Sequence, residues 1–207
     1  YEVYIRVLKE YFSVNQPHVR MPKDINRTAM NLKYQMDAIS MAIDIIKKHN
    51  GVIIADVVGL GKSIIASSIA HNLNLDTIVI APPHLKEQWD DYRRRFKFMG
   101  EVYSSGKIDK AIKDYSDNEN EKLIIVDEAH RYRNSDTINY NLLWQLCQGN
   151  RVVLLTATPF NNTPEDLYSI ISLFQIPTKS TLKHIENLNA EFRKLITDYK
   201  NLKKRSK

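Results

Sequence analysis

The sequence predicts an α/β fold in which a mostly parallel sheet carries helices on both faces. Three observations predict it. Short apolar runs at residues 52–55, 77–81, 102–103, 123–126 and 152–155 punctuate the chain, and strands that are apolar throughout are covered on both faces. The segments between them have amphipathic, helical spacing. Three polar segments come directly after three of the runs: Gly59-Leu60-Gly61-Lys62-Ser63, Asp127-Glu128-Ala129-His130 and Thr156-Ala157-Thr158-Pro159. In such sheets ligands bind at the carboxyl ends of the strands, so that edge is the expected active edge.

Along the chain, residues 1–30 read as a lead-in of one short helix and a linker: Val3, Val7, Leu8, Tyr11 and Phe12 recur at helical spacing, and Pro17 and Pro22 break the polar stretch after them. Met36, Ile39, Ala42, Ile43 and Ile46 form a helix stripe that stops near Asn50-Gly51, where a left-handed residue is readily accommodated. The alternating strands and helices make one lobe over residues 31–178. In residues 179–207, Ile185, Leu188, Phe192, Leu195, Tyr199 and Leu202 advance by three and four, the seam of a helix that packs on another helix. The seam is too short for an independent coiled coil, so it is expected to dock on this lobe or on a neighbour outside the chain.

Composition narrows the function classes. With 207 residues and 43% apolar content, the chain can bury a core as a globular domain. No apolar run approaches the roughly 20 residues needed to cross a bilayer, and the start lacks a signal-peptide core, so a cytoplasmic location is expected. Cys147 is the sole cysteine, which excludes an intrachain disulfide and points to a small buried hydrophobe. The formal charge of +6 favours an anionic partner but is common enough to identify none. Beginning at Tyr1 and ending rich in lysine, the sequence is expected to be a piece of a longer protein.

The first polar segment departs from the phosphate-loop pattern G-x-x-x-x-G-K-[ST] only in carrying Asp56 at the first glycine position. Gly59 and Gly61 still let the backbone curl its N–H groups inward around Leu60, and a helix starting near Lys62 adds its positive end. Lys62 would reach the β and γ phosphates of ATP, and the Ser63 hydroxyl would ligate Mg2+. At the end of run 123–126, Asp127 would hold the metal through water, while Glu128 would orient and deprotonate the attacking water. His130 has no second His or Cys at metal-ligand spacing, which argues against zinc. Thr156 and Thr158 stand where hydroxyls can bond neighbouring carboxylates and reposition when the γ-phosphate leaves, and Pro159 halts the strand.

The set resembles the first RecA-like lobe of superfamily-two helicases and translocases, in detail the Swi/Snf-like branch, over residues 32–175. Leu32-Lys33-Tyr34-Gln35 is similar to that branch's adenine-reading segment, which implies that Gln35 bonds the base. Residues 56–63 resemble its acidic phosphate loop, where an aspartate also replaces the first glycine. Residues 80–89, Ile80-Ala81-Pro82-Pro83-His84-Leu85-Lys86-Glu87-Gln88-Trp89, look like the segment that touches the nucleic-acid backbone. Asp127–His130 matches the DEAH magnesium motif, and residues 155–162 with Glu165-Asp166-Leu167-Tyr168 resemble the third motif. Tyr1-Glu2-Val3-Tyr4-Ile5 with residues 55–59 is more similar to bacterial members that follow a phospholipase D-type nuclease domain. The resemblance implies a DNA-dependent ATPase using ATP and Mg2+, with His130, Thr156 and Thr158 in coupling and double-stranded DNA as partner. It also implies a second RecA-like lobe whose arginines reach the phosphates. Nothing after Pro177 resembles one, so the isolated fragment is expected to be nearly inactive.

Pro82, His84 and Lys86 would offer N–H groups and a cation to phosphates, a contact that carries no base information; the plain alternative is a loop with a solvated lysine. Arg93-Arg94-Arg95 fan around a helix toward solvent, acidic neighbours or DNA, while Trp89 and Trp144 sit in apolar stripes and are expected in the core. Two rival functions stand beside the DNA motor. A generic phosphate-loop ATPase or kinase would leave Gln35, residues 82–89 and residues 156–159 unexplained together. A non-catalytic nucleic-acid-binding or interaction module with a decayed site is at odds with intact Lys62, Asp127 and Glu128.

Overall fold

The computed structural model describes residues 19–55, 61–157, 163–182 and 185–205. The helix expected in residues 1–18 lies outside them. The elements run α1 (Pro22–Ile25), α2 (Lys33–His49), β1 (Gly51–Ala55), α3 (Lys62–Leu73), β2 (Thr77–Ala81), α4 (Lys86–Phe96), β3 (Gly100–Ser104), α5 (Ile108–Asp114), β4 (Leu123–Val126), α6 (Ile138–Cys147), β5 (Arg151–Thr156), α7 (Pro164–Ile171) and α8 (Leu188–Arg205). Helix α2 ends as expected at Asn50, which takes the left-handed conformation with φ 62° and delivers the chain into β1.

All five strands are parallel, in the order β1-β5-β4-β2-β3. The chain therefore builds outward from β1 to β3 and returns through β4 and β5 to close beside β1. Strand side chains alternate between two cores because their period is two. Val79 and Ala81 of β2, Leu123 and Ile125 of β4, and Val153 and Leu155 of β5 join α2, α3 and α4 on one face. Ile78 and Ile80, Ile124 and Val126, and Val152 and Leu154 join α5, α6 and α7 on the other. The predicted α/β sheet with helices on both faces is the observed one.

Three boundaries differ from the sequence reading. Residues 19–30, expected as a linker, are docked: Ile25 enters the first core, and Asn72 of α3 accepts from the Arg20 amide at 2.7 Å while donating to its carbonyl at 2.9 Å. A polar, proline-broken stretch reads as linker because its few apolar residues show no period. The C-terminal seam docks only at its start. Leu188 and Phe192 are buried, with the Phe192 ring 5.3 Å from Tyr168 of α7, and Lys200 pairs with Glu165 at 3.1 Å, whereas Leu195 and Leu202 stay 50% and 65% exposed. Trp144, expected in the core, is 43% exposed, because the buried stripe of α6 runs instead through Tyr140, Leu143, Leu146 and Cys147.

Cys147 lies within the second core, and burial pushes its thiol well above the usual value. Since the thiolate is the reactive form, a thiol reagent at about pH 8 will leave Cys147 unlabelled in the folded protein and label it on addition of denaturant. Rapid labelling of the native chain would contradict this packing.

Candidate nucleotide and nucleic-acid site

The carboxyl edge collects the polar segments because the strands that carry them are parallel neighbours. Ala55 at the end of β1 is in register with Thr156 at the end of β5, and Val126 of β4 pairs with both Leu154 of β5 and Ile80 of β2. The four connections leaving this edge thus start side by side. Residues 56–60 and 158–162 lie outside the described residues, so Asp56, Gly59, Leu60 and Thr158 are not placed.

From Gly61 onward the chain is placed again. Gly61 has φ +83°, a left-handed value that glycine adopts without strain, and it is the N-cap of α3. Lys62 and Ser63 are the first two helical residues, both half-buried, at the end where backbone N–H groups lack intrahelical partners and the helix dipole is positive. Gln35 of α2 closes this corner. It is buried, and a Cβ built on Gly61 would fall 2.4 Å from its Nε2, so any larger residue here would have to displace the Gln35 amide. The expected base-reading residue and the phosphate loop are therefore in direct contact.

Asp127 continues the β4 ladder by donating its amide to the Ile80 carbonyl at 2.9 Å. Its side chain is nearly buried, at 9% exposure. Oδ1 accepts the Glu128 amide at 2.9 Å, and Oδ2 accepts the indole N–H of Trp89 at 2.9 Å. Glu128 then turns the chain sharply, with φ 54°, a left-handed value uncommon for a residue other than glycine, into the 3-10 turn Ala129–Tyr132. Strain of this kind, about 1–3 kcal/mol, persists where the surroundings enforce it, and such positions cluster at functional sites. The Glu128 Oε2 lies 3.0 Å from His130 Nδ1, in a contact whose angles fall outside hydrogen-bond geometry.

Thr156 is buried at the end of β5. By strand alternation it belongs with Leu154, on the face where the turn Ala129–Tyr132 packs, whereas Asp127 belongs with Ile125 on the opposite face. Of the predicted coupling residues, Thr156 is therefore grouped with the His130 turn rather than with the Asp127 carboxylate.

After β2 the chain makes the 3-10 turn Pro83–Leu85 and enters α4. His84 and Lys86 are exposed, and Lys86 pairs with Asp90 at 3.2 Å one turn along. Pro82 is a correction: it has no N–H to offer, it is buried, and its carbonyl accepts the Leu85 amide at 2.9 Å, so it shapes the turn. The three arginines of α4 are held by acidic neighbours on their own helix. Arg93 lies 3.7 Å from Asp90, and Arg94 and Arg95 lie 3.8 Å and 3.2 Å from Asp91. Trp89 is buried as expected, but its bond to Asp127 is not legible in the sequence: the two residues are 38 positions apart and nothing in the pattern pairs them.

Among the described residues no group of three or more His, Cys, Asp and Glu is placed to hold a metal. The Ser63 hydroxyl and the nearly buried Asp127 carboxylate are oxygen donors of the kind Mg2+ takes, and Lys62 at the helix start is a cation suited to nucleotide phosphates, since Mg2+ keeps several waters and is bound through one or two carboxylates plus phosphate oxygens. Both Asp127 oxygens accept from neutral donors, the Glu128 amide and the Trp89 indole.

Comparison with known proteins gives the family. The SNF2-related domain matches residues 101–205, just over half of the chain. The chain belongs to that family. It is 26% identical over 187 residues to the ATP-dependent helicase YqhH of Bacillus subtilis, an alignment covering 80% of this chain and 33% of that protein. It is also 25% identical over 174 residues to the chromodomain-helicase-DNA-binding protein 1-like of Danio rerio, covering 69% of this chain and 17% of that one. The fold matches the Sulfolobus solfataricus SWI2/SNF2 ATPase core solved with double-stranded DNA, with TM-score 0.64 and 19% identity, over 88% of this chain and 46% of that one. This SNF2-related chain thus spans a third or less of these two curated relatives and just under half of the structural neighbour's chain.

Proposed function

We propose that the chain is the ATP-binding N-terminal lobe of an ATP-dependent motor that moves on duplex DNA. The observation that carries the reading is the carboxyl edge itself: the helix start at Gly61-Lys62, the Asp127-Glu128 pair and Thr156 all leave adjacent parallel strands there. Bound Mg-ATP would supply the phosphoryl group whose transfer to water drives movement. Lys62 would bind the β and γ phosphates, Ser63 and Asp127 would hold the metal, and Gln35 would read the base beside Gly61. Asp56, Gly59 and Leu60 would take part in nucleotide binding. Glu128 orients the attacking water and takes its proton on a carboxylate oxygen. His130, Thr156 and Thr158 pass the change to the rest of the lobe, and the exposed His84 and Lys86 meet the DNA backbone. A second RecA-like lobe supplies the arginines that complete hydrolysis.

The DNA part of the reading is tested apart from the nucleotide. Binding of random-sequence duplex to the chain should weaken steeply with salt, and Lys86→Glu should reduce the slope of log K against log salt by about 1 without altering sequence preference. Duplex affinity and slope unchanged in Lys86→Glu would favour a small-substrate phosphate-loop enzyme.

A further inference from the structure

Asp127 is nearly buried, and each of its carboxylate oxygens accepts from a neutral donor: the Glu128 amide on Oδ1 and the Trp89 indole on Oδ2, each at 2.9 Å. Two such bonds fix the direction of a carboxylate without neutralising it. The indole is held just as firmly. Trp89 is 1% exposed, its ring meets Tyr92 edge-on at 5.9 Å, and Tyr92 stands 6.1 Å from Phe96, so an aromatic row along α4 fixes the rotamer. A buried indole N–H needs an acceptor, and any main-chain carbonyl would satisfy it. Here the acceptor is the side chain placed to hold the metal.

We infer that Trp89 is a positioning residue for Asp127, and that its N–H ties the orientation of the metal-holding carboxylate to helix α4. The inference rests on the assignment of Asp127 to magnesium. Helix α4 starts at Lys86, immediately after the turn Pro83–Leu85, whose Pro83 and His84 are exposed, and Trp89 lies one turn further in. A displacement of the turn by a bound phosphate backbone therefore reaches the carboxylate through one helical turn and one hydrogen bond. Outer-sphere partners of metal ligands set ligand orientation in this way, and their loss typically costs about 10–100-fold in metal affinity.

The chain contains two tryptophans, and Trp144 lies on the exposed side of α6, so Trp144→Phe leaves Trp89 as the sole indole reporter. In that background ADP with Mg2+ should change the Trp89 emission, whereas ADP with EDTA should not. Trp89→Phe keeps an aromatic ring in the core and deletes the N–H. It should raise the Mg2+ concentration for half-maximal binding of a labelled ADP by about tenfold, with metal-free ADP binding unchanged. The inference is overturned if the emission is silent to Mg2+ with ADP, or if Trp89→Phe keeps the wild-type Mg2+ dependence. In those outcomes the unsubstituted chain still binds Mg-ADP and the nucleotide reading stands. If the unsubstituted chain binds no nucleotide, the nucleotide reading falls and this inference falls with it. The emission measurement retains the native Trp89, so it decides the matter even if Trp89→Phe fails to fold.

Discussion

ATP hydrolysis by residues 1–207 will stay near background with or without duplex DNA, and a longer chain with the second RecA-like lobe that the proposed function requires is expected to hydrolyse roughly 10³–10⁵ times faster. The expectation comes from which charges the edge holds. Lys62 and the start of α3 can bind and orient phosphates, and Glu128 can take a proton, but the negative charge that grows on the phosphate oxygens during transfer needs further cations. The three arginines of α4 are engaged by Asp90 and Asp91 on their own helix. An arginine reaching in from another lobe is the kind of group worth that rate, so residues 1–207 should bind without turning over. Single-turnover assays with labelled ATP, on residues 1–207 and on the longer chain, check this directly. Vigorous DNA-stimulated hydrolysis by residues 1–207 would show that the lobe is sufficient by itself.

Glu128→Gln in that longer chain will lower turnover by about 10²–10⁴ while leaving Mg-ATP affinity within a few-fold of wild type. Glutamine keeps the size and hydrogen-bonding reach of the side chain and removes only its ability to accept the proton. Its backbone position is enforced by the Asp127 side chain, which accepts the residue-128 amide, and by the turn Ala129–Tyr132 that comes next. The substitution should therefore preserve the left-handed geometry and report on proton transfer alone. A loss of nucleotide affinity equal to the loss of rate would place Glu128 in ground-state binding instead. The pair Glu128→Gln and Asp127→Asn separates the two carboxylates: the second should weaken the Mg2+-dependent part of binding.

The parts of this fold most legible in the sequence are those where one physical signal acts alone. Strands β2 and β4 run over the predicted residues because both faces of each are covered, so every residue is buried from Thr77 to Ala81 and from Leu123 to Val126. Strand β3 is legible only at Val102 and Tyr103, since its other residues, Gly100, Glu101 and Ser104, belong to an edge strand that is held by pairing with β2 rather than by burial. The same limit applies to residues 19–30, where docking depends on Ile25 and a pair of backbone bonds to Asn72. Trp144 misleads because a helical stripe gives the period of a face without saying which face the lobe covers.

The site is legible as a list of residues and only partly as a geometry. Lys62, Asp127 and Thr156 can be placed on one edge because each lies just beyond or at the end of an apolar run. Contacts between segments distant in sequence cannot be read: the Gln35 amide against Gly61, and the Trp89 indole on Asp127. Nor does the sequence say that Thr156 shares a face with the His130 turn, which emerges from strand parity around β5 once the order of the sheet is known.

Equilibrium titration of labelled ATP into residues 1–207, with and without Mg2+, tests the central claim most directly when run beside Lys62→Ala. The account predicts Mg2+-dependent binding by the wild-type chain. Lys62→Ala should weaken it by roughly 10- to 100-fold, the loss of one or two charge-assisted bonds to phosphate. No binding by the wild-type chain, or binding indifferent to Lys62→Ala, would contradict the claim that the carboxyl edge is a nucleotide site and would leave an interaction module on a decayed phosphate loop.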